Sequence, residues 1–103
     1  MKIELLYFDG CPGYKATMQL LDLILREEGI DILIDLIEVT SVEMAKQRKF
    51  LGSPSIRIDG QDIEKDARNL NDYGLKCRIY MDGGKLGGVP PEKIIREAIK
   101  NAL

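Results

Sequence analysis

The amino-acid pattern predicts an α/β fold, a mixed sheet of order β-α-β-α-β-β-α with helices on both faces. Two observations carry that expectation. Short aliphatic runs alternate with segments of helical period, and an Asp-Gly turn joins two of the short runs. The length sets the scale, since 103 residues is one domain. Its 45% hydrophobic share supplies one modest core.

Lys2 to Phe8 reads KIELLYF. Apart from Lys2 and Glu4 it is apolar, which suits a strand covered on both faces. Asp9-Gly10-Cys11-Pro12-Gly13 breaks the pattern. From Tyr14 to Glu28 the period is helical: Thr17, Leu20, Leu21, Ile24, Leu25 and Glu28 share one side. Pro12 suits the first helical turn and Gly29 the stop. Ile32 to Val39 reads as a second strand. Because β-α-β precedes everything else, the first two strands are expected to be parallel.

Thr40 and Glu43 have the spacing of a capping box, so a short helix is expected from there to about Phe50, with Gly52 ending it. Ser55 to Ile58 alternates as a third strand. Asp59-Gly60 predicts a hairpin whose return is Gln61 to Glu64. An insertion is expected at about 65–88. Within it Lys65 to Lys76 is polar and irregular, a loop or short helical piece, and Cys77 to Met81 is strand-like. Gly83-Gly84 and Gly87-Gly88 read as flexible punctuation. Pro91 opens a last helix with the stripe Ile94, Ile95, Ala98, Ile99 and Ala102.

Composition excludes many functions. The 15 basic residues stand against 17 acidic ones, a net charge of −2. Nucleic acid as the main partner normally demands a basic face, so none is expected. Apolar stretches are short and interrupted by charge, so no membrane span is expected. The run after Met1 is too short for a signal peptide, and a cytoplasmic location is the expectation. There is no histidine. That removes Ser-His-Asp and Cys-His pairs, HExxH sites and every His-containing zinc site. Two cysteines cannot make a four-cysteine metal site within one chain. No cofactor and no resident metal are implied. Carboxylate chemistry, thiol chemistry or no chemistry remain.

The sharpest feature is Phe8-Asp9-Gly10-Cys11-Pro12-Gly13-Tyr14, a cysteine at a strand end and a helix start. The partial positive charge of the helix N-terminus and its free N–H groups favour a thiolate there. Lowering a thiol pKa from about 8.5 to about 6.5 takes it from a few per cent ionised to mostly ionised at pH 7. Asp9 opposes the effect, and Lys15 lies a turn into the helix. The alternative is a small buried apolar cysteine. The βα junction favours the chemical reading. Asp9 is also a candidate proton acceptor or an ordinary exposed loop residue. Tyr14 is either a hydroxyl donor to a thiolate or substrate, or a ring packed on a neighbour.

The element order, the junction at Cys11-Pro12-Gly13-Tyr14, and Gly52-Ser53-Pro54-Ser55-Ile56-Arg57-Ile58-Asp59-Gly60 together resemble the thioredoxin/glutaredoxin superfamily. The resemblance covers most of the chain but not Lys65 to Gly88. It implies a thioredoxin-like fold and a cis Ser53–Pro54 bond facing Cys11, with Ser53 and Ser55 beside the substrate. Position 14 is tyrosine, so the second cysteine of a Cys-x-x-Cys pair is absent. The glutathione-binding lysine that often precedes the motif in glutaredoxins is absent too. The chain looks most like a small group of thioredoxin-like proteins, some labelled as alkylmercury lyases.

In that topology the insertion emerges near the active-site end, so Cys77 is either a resolving thiol for Cys11 or an unpartnered strand residue. The resemblance implies thiol–disulfide exchange. Cys11 attacks, Pro54 shapes the surface, Cys77 is the candidate resolving thiol, and the partner is a protein or small-molecule thiol or disulfide. Two alternatives stay open: a soft-metal or organomercurial thiol site, and a non-catalytic binding module on the same fold.

Overall fold

The structure, a computed structural model, describes residues 1–103. Its elements are β1 (Ile3–Tyr7), α1 (Gly13–Glu27), β2 (Ile34–Glu38), α2 (Val42–Gln47), β3 (Ser55–Ile58), β4 (Gln61–Asp62), a 3₁₀ turn (Lys65–Asn69), β5 (Tyr80–Asp82), β6 (Lys85–Gly87) and α3 (Glu92–Ala102). Four strands form one mixed sheet in the order β2-β1-β3-β4. β1 runs parallel to β2 and antiparallel to β3, and β3 is antiparallel to β4.

Strand geometry sends successive side chains of β1 to opposite faces. Ile3 and Leu5 join Ile56 and Ile58 of β3 under α1 and α3, where Leu21, Ile24, Leu25, Ile95 and Ile99 complete the main core. Leu6 joins a second cluster with Val39, Ala45 and Phe50, on the side of α2. Both faces of β1 are therefore covered, which accounts for its nearly continuous apolar run. All five residues of the expected α3 stripe border the main core.

Helix ends follow local chemistry. α1 stops on Gly29 at φ 69°. The Gly29 N–H bonds the Arg26 carbonyl and the Ile30 N–H the Leu25 carbonyl, the reciprocal pair of a Schellman motif. α2 starts one residue later than the capping-box spacing suggests: Ser41, not Thr40, accepts from the Met44 N–H. The same helix ends before Phe50, through a second Schellman pair centred on Lys49 at φ 56°. Gly52 serves another purpose. At φ 129° its missing side chain leaves room for the Arg78 backbone.

The largest differences lie in the insertion. The returning strand after Asp59-Gly60 is only Gln61–Asp62, because the Asp62 side chain turns back to accept from the Glu64 N–H. The expected strand over Cys77 to Met81 begins at Tyr80. It pairs with β6 in a separate two-stranded sheet rather than in the main one. Gly83 and Gly84 are the hairpin turn, with φ 58° and 87°, which suits a two-residue loop that needs positive φ at both positions. Cys77 makes only an isolated parallel bridge to Ser53. No helix is long and apolar enough to cross a membrane.

Candidate functional site

Cys11 sits in the turn between β1 and α1, with its N–H donated to the Phe8 carbonyl at 3.0 Å. Pro12 is the residue that caps α1, and no side chain caps this end. The N–H groups of the first turn thus lack intrahelical partners. No acidic residue lies in that turn. A helix start with free N–H groups and no acidic side chain favours negative charge on a sulfur beside it.

Cys11 is bonded to Cys77 in a disulfide that spans 66 positions, with Cα atoms 5.6 Å apart. The two halves differ in exposure. Cys11 is 2% exposed, whereas Cys77 is open to solvent. Two features cover Cys11's side of the junction. The Gly13 Cα lies so close to the Gly88 carbonyl that any Cβ there would collide with its oxygen. The Pro54 ring packs beside the same glycine. The chain that returns from the hairpin therefore lies directly over the start of α1.

Cys77 is held from both sides. The Ser53 N–H donates to the Lys76 carbonyl at 2.8 Å, and the Arg78 N–H donates to the Ser53 carbonyl at 2.9 Å. Arg78 then points inward, its side chain 7% exposed. It forms a two-bond fork with Asp62 at 2.6 and 2.9 Å, donates to Glu64 at 2.7 Å and to the Ser55 hydroxyl at 3.1 Å. Its guanidinium also lies 4.7 Å from the centre of the Tyr80 ring. Burial opposes the charge on Arg78, but the Asp62 and Glu64 bonds outweigh it and hold the guanidinium more firmly protonated than usual. The Tyr80 hydroxyl donates to the Pro54 carbonyl at 2.6 Å. The segment carrying Cys77 is thus tied to the Ser53–Ser55 loop through both backbone and side chains.

The Ser53–Pro54 bond is cis. Ser53 is fully buried, and its hydroxyl has no hydrogen-bond partner. A depression of about 290 Å³ opens over the disulfide, with Cys11, Gly13, Ser53, Cys77, Gly88 and Val89 among its walls. Cys11, Cys77, Pro54 and Ser53 therefore meet at one place, although Pro54 is not itself in that wall.

The other candidates lie elsewhere. Ser55 is buried and occupied, donating to the Gly52 carbonyl and accepting from Arg78. The Tyr14 ring stacks on Tyr7 with centroids 4.1 Å apart. Burial first, and then the nearby Glu38, Tyr14 and Asp9, raise the pKa of the Tyr7 hydroxyl. Asp9 is an exposed turn residue and does not border the depression. No group of three or more His, Cys, Asp or Glu side chains stands close enough to hold a metal ion.

Sequence reasoning did not single out Arg78, Asp62, Glu64 or Tyr80. One signal was present: Arg78 is a lone charge inside the run Cys77-Arg78-Ile79-Tyr80, and a charge in a buried strand needs a partner. Comparison with known proteins finds no matching family model, no matching curated protein and no matching solved structure.

Proposed function

We propose that this chain is a thioredoxin-like thiol–disulfide exchange protein whose reactive pair is Cys11 and Cys77. The observation that supports it most is the bond between those two residues at the start of α1. Disulfides form and break by attack of a thiolate on sulfur, so a reversible pair needs an accessible sulfur and a stabilised leaving thiolate. An open Cys77 and a helix-start Cys11 supply one of each. The cis Ser53–Pro54 bond beside them and the β-α-β-α-β-β-α order suit a thioredoxin-like domain.

The test is oxidation of a dithiol. The oxidised protein should oxidise dithiothreitol at pH 7 about tenfold or more faster than glutathione disulfide does at equal concentration. Cys11→Ser and Cys77→Ser should each lose that rate. A rate no greater than that of the free disulfide sinks the proposal and leaves a non-catalytic module. Once reduced, the same two sulfurs would also suit a soft metal ion. Tight one-to-one binding of mercuric ion, with dithiol oxidation no faster than the free disulfide, would favour that second reading.

A further inference from the structure

We infer that the incoming sulfur attacks Cys77, and that Cys11 is the leaving and later the resolving thiolate. This rests on the exchange reading and assigns the two roles within it. Sequence alone points the other way, because the helix-start cysteine is the one expected to attack. The structure separates accessibility from activation. Cys77 is open to solvent. Cys11 is 2% exposed and lies where the Gly13–Gly88 approach and the Pro54 ring close over the helix start. A thiolate needs a clear path to the sulfur that it attacks, and the leaving sulfur departs faster when its thiolate is better stabilised. Both requirements select Cys77 as the target and Cys11 as the leaving group.

A second observation supplies a donor for that charge. Ser53 is buried with an unpartnered hydroxyl, in the wall of the depression that Cys11 and Cys77 share. A buried hydroxyl without a partner costs stability. A disulfide sulfur is a poor acceptor, whereas a thiolate is a strong one. With Cys11 as the leaving group, the Ser53 hydroxyl in the shared wall is assigned as a donor to its thiolate, beside the start of α1.

The steps balance as follows. One thiolate of a dithiol substrate forms a bond to the Cys77 sulfur. The Cys11–Cys77 bond breaks, and its electron pair goes to the Cys11 sulfur. The second substrate thiolate then attacks the substrate sulfur of the mixed disulfide. The substrate disulfide closes and Cys77 leaves as a thiolate, which takes a proton from water. The dithiol is oxidised by two electrons and the protein disulfide is reduced by two. In the opposite direction Cys77 attacks a substrate disulfide, and Cys11 resolves the mixed disulfide on Cys77.

The test uses a monothiol, which stops at the first step. Oxidised wild-type protein is mixed with excess glutathione at pH 7, quenched within the first turnover with N-ethylmaleimide in acid, and mapped by peptide mass. The expected product carries glutathione on Cys77 and maleimide on Cys11, about tenfold or more over the reverse arrangement. Glutathione mainly on Cys11, or equally on both, overturns the inference and leaves exchange itself standing. No adduct and no opening of the disulfide overturns both. A second measurement addresses Ser53 in a Cys77→Ser background, where the Cys11 thiolate is titrated by its ultraviolet absorbance. Adding Ser53→Ala should raise the Cys11 pKa by roughly 0.5–1 unit. An unchanged pKa removes Ser53 from the assignment.

Discussion

Tyr80 lies inside the fold with its hydroxyl donated to the Pro54 carbonyl. Burial raises its pKa above the ordinary value of 10.0; Arg78 opposes the rise, and the charges of Asp62 and Glu64 add to it. Below pH 10 the phenol is neutral in both the folded and unfolded chains, so its full contribution is present. Above pH 10 the unfolded chain loses the proton and the folded one keeps it. Stability should therefore fall as pH rises past 10, by up to about 1.4 kcal/mol per pH unit for one group. Urea unfolding at pH 8, 10 and 11 measures this. Tyr80→Phe should start about 1 kcal/mol lower at pH 8, for the lost hydrogen bond, and show a shallower fall. Parallel pH profiles for the two proteins would remove Tyr80 as the cause. The same residue illustrates what was hidden in the sequence. An aromatic in a strand-like run announces burial, but nothing local announces that its hydroxyl reaches a carbonyl 26 positions away.

Elements were legible where their ends are written in neighbouring residues. Gly29 stops α1 through bonds to Arg26 and Leu25, and Asp59-Gly60 turns β3 into β4 at φ 53° and 83°. The stripe of α3 needed only its own period. Elements were less legible where their partner is remote. β5 finds β6 across two glycines that also read as loop punctuation. β4 is cut short because Asp62 serves Arg78 and the Glu64 N–H instead of extending a strand. That double duty makes Asp62 the joint between the main sheet and the Cys77 segment. Asp62→Ala would leave a buried guanidinium with Glu64 as its remaining charged partner. Removing one partner of a buried pair costs about 3–5 kcal/mol, and the partly exposed Glu64 should hold the loss near the lower end. Chemical denaturation at pH 7 gives the number. A loss below about 1 kcal/mol, the range of exposed pairs, would mean that Arg78 finds water when Asp62 is gone.

For the whole molecule, residues 65–88 are an excursion packed on a four-stranded core. Its attachments include the Ser53 backbone bonds, the Gly74 N–H to the Phe50 carbonyl, the Arg68 side chain to the Asp62 carbonyl, the Arg78 fork, the Tyr80 hydroxyl and the Cys11–Cys77 bond. Only the last constrains the unfolded chain. Closing a loop across 66 positions removes denatured-state entropy worth roughly 4 kcal/mol on the chain-entropy model. A domain of this size has about 5–15 kcal/mol in total, so reduction should take a large share without dissolving the core. Urea unfolding with and without a phosphine reductant should show a lower midpoint on reduction, and Cys11→Ser and Cys77→Ser should match the reduced protein. Hydrogen exchange separates the global effect from the local one. A purely denatured-state effect speeds only amides that exchange through global unfolding. Loosening of the excursion would in addition speed Ser53 and Arg78, whose N–H groups join the two parts. Selective exchange at those two amides would mean that reduction of the disulfide also frees the segment carrying Cys77. Uniform acceleration would mean that the hydrogen bonds of the excursion keep it docked without the disulfide.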